Sequence, residues 1–408
     1  MTTATQGTVA GRPQPQTTAQ PQGGPFVRHA PDGRRAMYVF SGAAAGTANA
    51  QFMANPMVSS PGWNKGYRVL TALTGGSGAT AITAPNLDAP YNFHQLVQMK
   101  DAFGTQLLTG PGYDISFLVP LYSGQFGLDS MRSPANSPQF LPVVSQITTN
   151  TGNTTFPTYF PFEFAKGYGV ISGANAALLP VLQVNLASIV GLFGTGTYTT
   201  APTSTVTVDS DFYWLPNVPT DPPGIGTTCQ WIYQPCNPTI PSAGSTIIQL
   251  PRLGGYLTML VLDLRDSTGA RILETGGSLG WPLRPKLLVD GVPLIDTLFT
   301  TLQEDVAIST GIGAYVANSV TTATGAVNGT IPVPRPVGTI AISRKTSLAQ
   351  RDFGLLDTGE IFLSTNPGTQ IEVAGYPWGT AANSPMTLNA VVGQIVPSGT
   401  LIQGLPEV

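Results

Sequence analysis

Charge is scarce in this chain of 408 residues. Asp, Glu, Lys and Arg make up 10% of it, against roughly 25% in an ordinary globular protein. The formal net charge is −3, so bulk electrostatics argue against direct nucleic-acid binding. Histidine is rarer still: only His29 and His94 occur. His29 falls in a polar N-terminal arm, and His94 reads as a polar-face residue of a strand. A Ser-His-Asp or Cys-His catalytic arrangement needs a histidine held in a cleft with partners, and neither position offers that. The two cysteines, Cys229 and Cys236, lie in a Pro-rich stretch with six residues between them. One local disulfide is open to them, but two thiols with no nearby histidine do not make a zinc site. No lysine follows a glycine, so the Gly-Lys-Ser/Thr phosphate loop is absent, as are the His-Glu-x-x-His helix and the EF-hand ligand run. The acidic residues are scattered through turns. The densest charged knot, Asp263, Arg265 and Asp266, reads as a solvated hairpin end. No catalytic residue, cofactor or metal site is expected, and the chain does not read as an enzyme.

Long apolar runs are also missing. No charge occurs from Gly167 to Val208, yet the apolar part, Ala174–Phe193, is broken by Pro180, Gln183, Asn185 and Ser188. A membrane span would bury those amides in hydrocarbon. The expectation is a short helix over Ser172–Leu179 followed by a strand over Leu182–Ala187. The first 25 residues lack an apolar core, so no secretory signal is expected.

What the chain does contain is glycine (47), proline (37) and 42% hydrophobic residues. That is enough apolar surface to fold, punctuated by turns and faced with Thr, Ser, Asn and Gln. The fold class expected is all-β. The stretch 90–123 shows why. Phe93, Val97 and Met99 fall on one face of a strand, with His94, Gln98 and Lys100 on the other. After Gly110-Pro111-Gly112, a second strand is expected in which Tyr113, Ile115, Phe117, Val119 and Leu121 alternate with Asp114, Ser116, Leu118, Pro120 and Tyr122. A period of two marks a half-buried sheet. Further helix is expected only in short pieces, at Leu294–Thr310 and Arg344–Phe353.

Pieces of the first half return in the second. Gly66-Tyr67 opens a strand closed by a Ser-Gly-Ala turn, and Gly255-Tyr256, 189 residues later, opens another closed by Ser-Thr-Gly-Ala. Pro90 with Leu96-Val97 is echoed by Pro282 with Leu287-Leu288, an offset of 192 between the prolines. Gln183-Val184-Asn185-Leu186-Ala187 is echoed 187 residues on by Gln370-Ile371-Glu372-Val373-Ala374. Three matches in order at a nearly constant offset imply two related β-domains. The domains expected are a flexible arm (1–50), a first barrel (51–215), a Pro/Gly-rich linker (216–245), a second barrel (246–400) and a tail (401–408).

In pattern and order, the chain resembles the double jelly-roll major capsid proteins of tailless, internal-membrane bacteriophages of the tectivirus type. The likeness rests on Asn86-Leu87 with Phe93–Asp101, and on Tyr159–Phe164 followed by Gly173–Ala187. It extends to Arg335–Arg344, Gly359–Ala374 and Val391–Thr400, and runs over roughly residues 55–400. The resemblance implies two tandem jelly-roll barrels per chain, three chains in a pseudo-hexagonal capsomer, and an icosahedral shell over an internal membrane. The implied partners are further copies of the chain, minor capsid and vertex proteins, and lipid touched by the N-terminal arm, with no direct nucleic-acid contact. Arg12, Arg28, Arg34 and Arg35, against Asp32 alone, give residues 1–35 a net +3, and these arginines are the candidate membrane-facing residues. The competing expectation is a β-sandwich surface protein that binds a receptor or carbohydrate.

Overall fold

The computed structural model describes residues 32–42, 50–54, 62–77, 88, 90–123, 154–163, 169–173, 180–188, 199–214, 227–236, 240, 244–250, 256–272, 280–310, 338–343, 363–364, 370–378 and 385–397. Eighteen strands are described. The first nine are β1 (Asp32–Gly42), β2 (Ala50–Ala54), β3 (Gly62–Thr74), β4 (His94–Lys100), β5 (Gln106–Gly110), β6 (Thr154–Pro161), β7 (Ile171–Ser172), β8 (Val181–Leu186) and β9 (Thr203–Trp214). The second nine are β10 (Thr227–Pro235), β11 (Gly244–Gln249), β12 (Tyr256–Arg265), β13 (Lys286–Val289), β14 (Val292–Asp296), β15 (Thr339–Ser343), β16 (Leu363–Ser364), β17 (Ile371–Trp378) and β18 (Thr387–Pro397). A helical segment, α1, follows β5 as a π-type turn, Tyr113–Leu118, running into Val119–Tyr122. In the same place after β14 comes α2 (Phe299–Thr310).

The two sets of nine pair identically. One sheet of the first set runs β1-β9-β3-β6, with β7 on β3. Nine strands on, β10-β18-β12-β15 repeats that order, with β16 on β12. The facing sheets run β2-β8-β4-β5 and β11-β17-β13-β14. Each set is therefore a jelly roll, and the chain is a tandem duplication at the level of topology. Bulges recur as well. Pairing shifts between Asn64 and Gly66 on β3, and between Leu257 and Met259 on β12. Superposing the bulges matches Gly66 to Met259, four residues on from the Gly255 that the sequence echo selects.

The two barrels share a sheet. β5 of the first lies parallel to β10 of the second, with Leu108 beside Trp231 and Thr109 beside Ile232. This pairing fuses β2-β8-β4-β5 to β10-β18-β12-β15. β12 is consequently buried on both faces. Leu260, Leu262 and Leu264 enter the second barrel's core, while Met259 and Val261, pointing the other way, join the first barrel's core. Burying each such side chain contributes about 1.5–3 kcal/mol. Within the first core Tyr91 stacks on Phe117 at 5.2 Å and meets Phe156 edge-on at 5.3 Å. In the second, Trp281 lies between Phe299 (5.3 Å) and Trp378 (6.2 Å).

Several sequence expectations are corrected here. Residues 113–122 form α1 rather than a strand, and all ten are buried. The stretch expected as a linker, 216–245, holds β10, an interior strand of the shared sheet. The arm is shorter than expected, since β1 and β2 lie within residues 32–54. Ser172 ends a short strand, residues 174–179 of the expected helix lie outside the described residues, and β8 follows with alternating burial. Leu294–Thr310 divides into the end of β14 and α2. Arg344–Phe353 and the tail 401–408 lie outside the described residues. Among the described residues no helix is long and apolar enough to cross a membrane.

Candidate functional site at the junction of the barrels

Two side chains hold the first barrel to itself and then to the second. His94 opens β4 and is fully buried. Its Nε2 lies 2.9 Å from Thr71 Oγ1 on β3, and its Nδ1 lies 2.9 Å from Ser116 Oγ in α1. One ring nitrogen donates and the other accepts, which only the neutral ring does. Burial lowers its pKa from 6.5 to about 3. The histidine thus ties both sheets of the first barrel to α1. It does not lie on a polar face, because the ladder shifts between His94 and Leu96. That bulge inserts one residue and turns His94 to the side of Val97 and Met99.

The charged knot is likewise no solvated hairpin end. Arg265, near the end of β12, reaches Asp263 Oδ2 at 2.6 Å, Asp88 Oδ2 at 2.7 Å and Asp114 Oδ2 at 3.5 Å. Its Nη1 also donates to Gly269 O at 3.1 Å. Arg271 donates to Asp88 Oδ1 at 3.1 Å, and its guanidinium lies 4.3 Å from the centre of the Tyr113 ring. Asp88 and Asp114 belong to the first barrel; Asp263, Arg265 and Arg271 belong to the second. Three carboxyl groups face two guanidinium groups. Burial, with Asp263 adding repulsion, pushes the Asp114 carboxyl well above the usual range, and the Arg265 guanidinium pulls the other way. A guanidinium surrounded by carboxylates stays charged, and its planar fork suits several acceptors at once.

Neutral bonds extend the junction. Tyr122 Oη lies 2.9 Å from Thr339 Oγ1, joining α1 to β15. Gln230 on β10 donates to Gln106 O on β5 and accepts from Gln394 Nε2 at 2.5 Å. Chemically, this arrangement fastens the two barrels: its acids lie against guanidinium groups, and its histidine is neutral and enclosed.

The cysteines sit at the two ends of β10, and both are buried, reduced thiols. Seven residue steps of extended chain separate them by roughly 23 Å, so the local disulfide left open by the sequence does not form. Burial pushes the Cys236 thiol up to about 12. No group of three or more potential metal ligands occurs among the described residues. Of the four arginines expected to face a membrane, Arg12 and Arg28 lie outside the described residues. Arg34 and Arg35 stand in β1 opposite Asp211 and Ser210 of β9.

Asp88, Asp114 and Arg271 escaped the sequence reading, and Arg265 was noticed with the wrong surroundings. Its partner Asp88 is 177 residues away. One signal was present: Tyr-Leu-Thr-Met-Leu-Val-Leu-Asp-Leu-Arg is apolar at both parities, the mark of a strand buried on two faces. Charges at the end of such a strand call for buried partners.

No protein-family model matches the sequence, and no curated protein matches it. Solved structures do. The crystal structure of the STIV MCP aligns at a TM-score of 0.53 with 13% identity, over 92% of this chain and all (100%) of that one. A chain in the atomic structure of Sulfolobus Turreted Icosahedral Virus aligns at 0.52 with 14% identity, over 92% and 94%. The PBCV-1 virus capsid aligns at 0.51 with 12% identity, over 90% and 93%. At such identities the likeness is one of fold. It spans both barrels, and with the repeated strand order it makes this chain a double jelly roll of the kind seen in those virus capsids.

Proposed function

We propose that the chain is the major capsid protein of an icosahedral virus, assembling first into a homotrimeric capsomer and then into the virion shell. The observation that carries this reading is the fusion of two equivalent barrels through one continuous sheet, matched over nearly the whole length of the STIV MCP. A subunit with two similar sectors, repeated three times about an axis, presents six sectors and a hexagonal outline. Interfaces that run head to tail close such a ring. The junction chemistry suits that role, because a tile must hold the angle between its two barrels, and a buried ion cluster with backbone pairing fixes it. Scarce surface charge lets copies approach with little repulsion. The role is structural, and no enzymatic function is assigned.

Further copies of the chain are the first partner. A hexagonal tile cannot occupy a five-fold vertex, so a separate vertex protein and minor capsid proteins complete the partner set. The basic N-terminal segment, with Arg12 and Arg28 ahead of β1, would contact the headgroups of an internal membrane. Two arginines are too few for substantial neutralisation of nucleic acid. Removing residues 1–31, which spares β1, is expected to leave trimers intact and weaken retention on anionic vesicles. Unchanged retention would remove the membrane contact from the proposal.

Purified protein examined by light scattering and negative-stain microscopy tests the main reading. The expected species is roughly 128 kDa, three times the 42.6 kDa chain, with a three-fold centre and hexagonal outline. A strictly monomeric protein under assembly conditions would refute it.

A further inference from the structure

The junction between the barrels uses one of two equivalent pairs of surfaces and, among the described residues, leaves the other open. Inside the chain, β5 at the edge of the first barrel pairs with β10, the first strand of the second. The counterpart of β5 is β14, which ends its sheet and pairs only with β13 among the described residues. The counterpart of β10 is β1, which ends the β1-β9-β3-β6 sheet.

Burial shows the same asymmetry. Both hairpins carry a bulge, between Met99 and Lys100 and between Leu287 and Leu288. Aligning them matches Leu107 to Leu294 and Leu108 to Ile295. Leu107 is 1% exposed at the internal junction, whereas Leu294 is 50% exposed and its neighbour Val292 66%. Leu298, just ahead of α2, and Leu283 are also open, while every residue of α1 is covered. On the opposing sheet, Val261 and Asp263 of β12 are covered by the first barrel, whereas their counterparts on β3, Arg68 and Leu70, face outward. An uncovered strand edge flanked by apolar side chains is a pairing template.

We infer that β14 of one copy pairs in parallel with β1 of the next, seating the outer face of the latter's β1-β9-β3-β6 sheet on the β13–β14 hairpin and the start of α2. The occupant is a second copy of this chain, because the chain itself shows what covers this surface: a strand and sheet of the β1/β10 type. The inference rests on the capsomer reading and supplies its subunit interface.

The register follows from the repeat. Asp211 pairs with Gly66 and Arg34, as Gly393 pairs with Met259 and Trp231. Arg34 thus takes the place of Trp231, and it would stand opposite Ile295 as Trp231 stands opposite Leu108. Pro293 has no N–H to offer and confines the ladder to the 295–296 end, a seam as short as the internal one. The contact is heterologous, so it propagates from copy to copy, and with a three-fold rotation it closes into the trimer.

The test is the double variant Arg34→Cys/Ile295→Cys. Neighbouring strands lie ~4.8 Å apart, within the separation of roughly 4.4–6.8 Å that a disulfide spans, and the native thiols are buried. Mild oxidation should yield covalent trimers on non-reducing gels, with at least ~10-fold more than either single variant gives. The second variant, Val292→Lys/Leu294→Lys, changes only exposed positions. It should keep the wild-type circular dichroism and weaken trimerisation by ~100-fold or more. Native trimers without the cross-link, or trimers indifferent to the lysines, would overturn the β14–β1 seam and leave the capsomer standing. A wild-type chain that never associates would overturn both.

Discussion

Acid should loosen the first barrel through one residue. His94 holds Thr71 and Ser116 only as a neutral ring, and burial lowers its pKa from 6.5 to about 3. The folded ring therefore binds its proton more weakly than the unfolded one. Stability is full above pH 6.5, declines as pH falls, and stops declining near pH 3. A tenfold ratio is worth 1.36 kcal/mol, so going from pH 8 to pH 4.5 costs about 2.7 kcal/mol through this group, and the full loss approaches about 5 kcal/mol. His94→Asn retains one donor and one acceptor without the titration. At pH 8 it should be less stable by about 1–3 kcal/mol, from a smaller side chain and stretched bonds. Between pH 8 and 4.5, however, it should lose about 2.7 kcal/mol less than the wild type does. Urea denaturation at stepped pH, followed by tryptophan fluorescence, reads both numbers, and the difference between the proteins cancels the carboxylates they share. Parallel stability curves for the two proteins would refute the assignment of a neutral, enclosed histidine.

Arg265→Met should destabilise the chain by about 3–5 kcal/mol at pH 8, because it strands the buried carboxyl groups of Asp114 and Asp263 and leaves Asp88 to Arg271 alone. With the guanidinium gone, the burial that raises the Asp114 and Asp263 carboxyls is less opposed, so the deficit should shrink as pH falls to 5; a deficit independent of pH would count against the cluster. Gly112→Ala should cost about 3 kcal/mol, since a Cβ there would come within 2.1 Å of the carbonyl oxygens of both Tyr91 and His94; the denaturation midpoint measures it. Both cysteines should ignore a thiol reagent in the native protein and titrate as two free thiols in guanidinium. A mass two protons lighter before reduction would show the disulfide that the geometry of β10 forbids.

The sequence disclosed the class of fold, because strands buried on one face keep a period of two; its three echoes fell on equivalent strands, β3 with β12, β4 with β13 and β8 with β17, though on β3 and β12 the echo lies four residues out of register. It hid whatever departs from that period. In α1 every residue is buried, so apolar and polar positions carry no helical stripe, and the alternation of Tyr113, Ile115, Phe117, Val119 and Leu121 imitates a strand. At His94 a single bulge inverts parity, and a polar-face residue becomes a core one. β10 was concealed by its flanks: Thr-Thr-Cys-Gln-Trp-Ile-Tyr is rich in β-formers, but prolines on either side suggested a linker. The ion cluster joins residues from opposite halves of the chain, a proximity that no local pattern encodes.

The sheet with a core on each side also sets an order of events during synthesis. Made without the first barrel, the second would present Cys229, Trp231, Met259, Val261, Ala341 and Val391, all of which belong to the first barrel's core, to water as one greasy face. The first barrel leaves the ribosome earlier, with β5 already in place as the edge on which β10 can dock. The C-terminal half expressed alone is therefore expected to aggregate, and to be rescued when the N-terminal half is made with it.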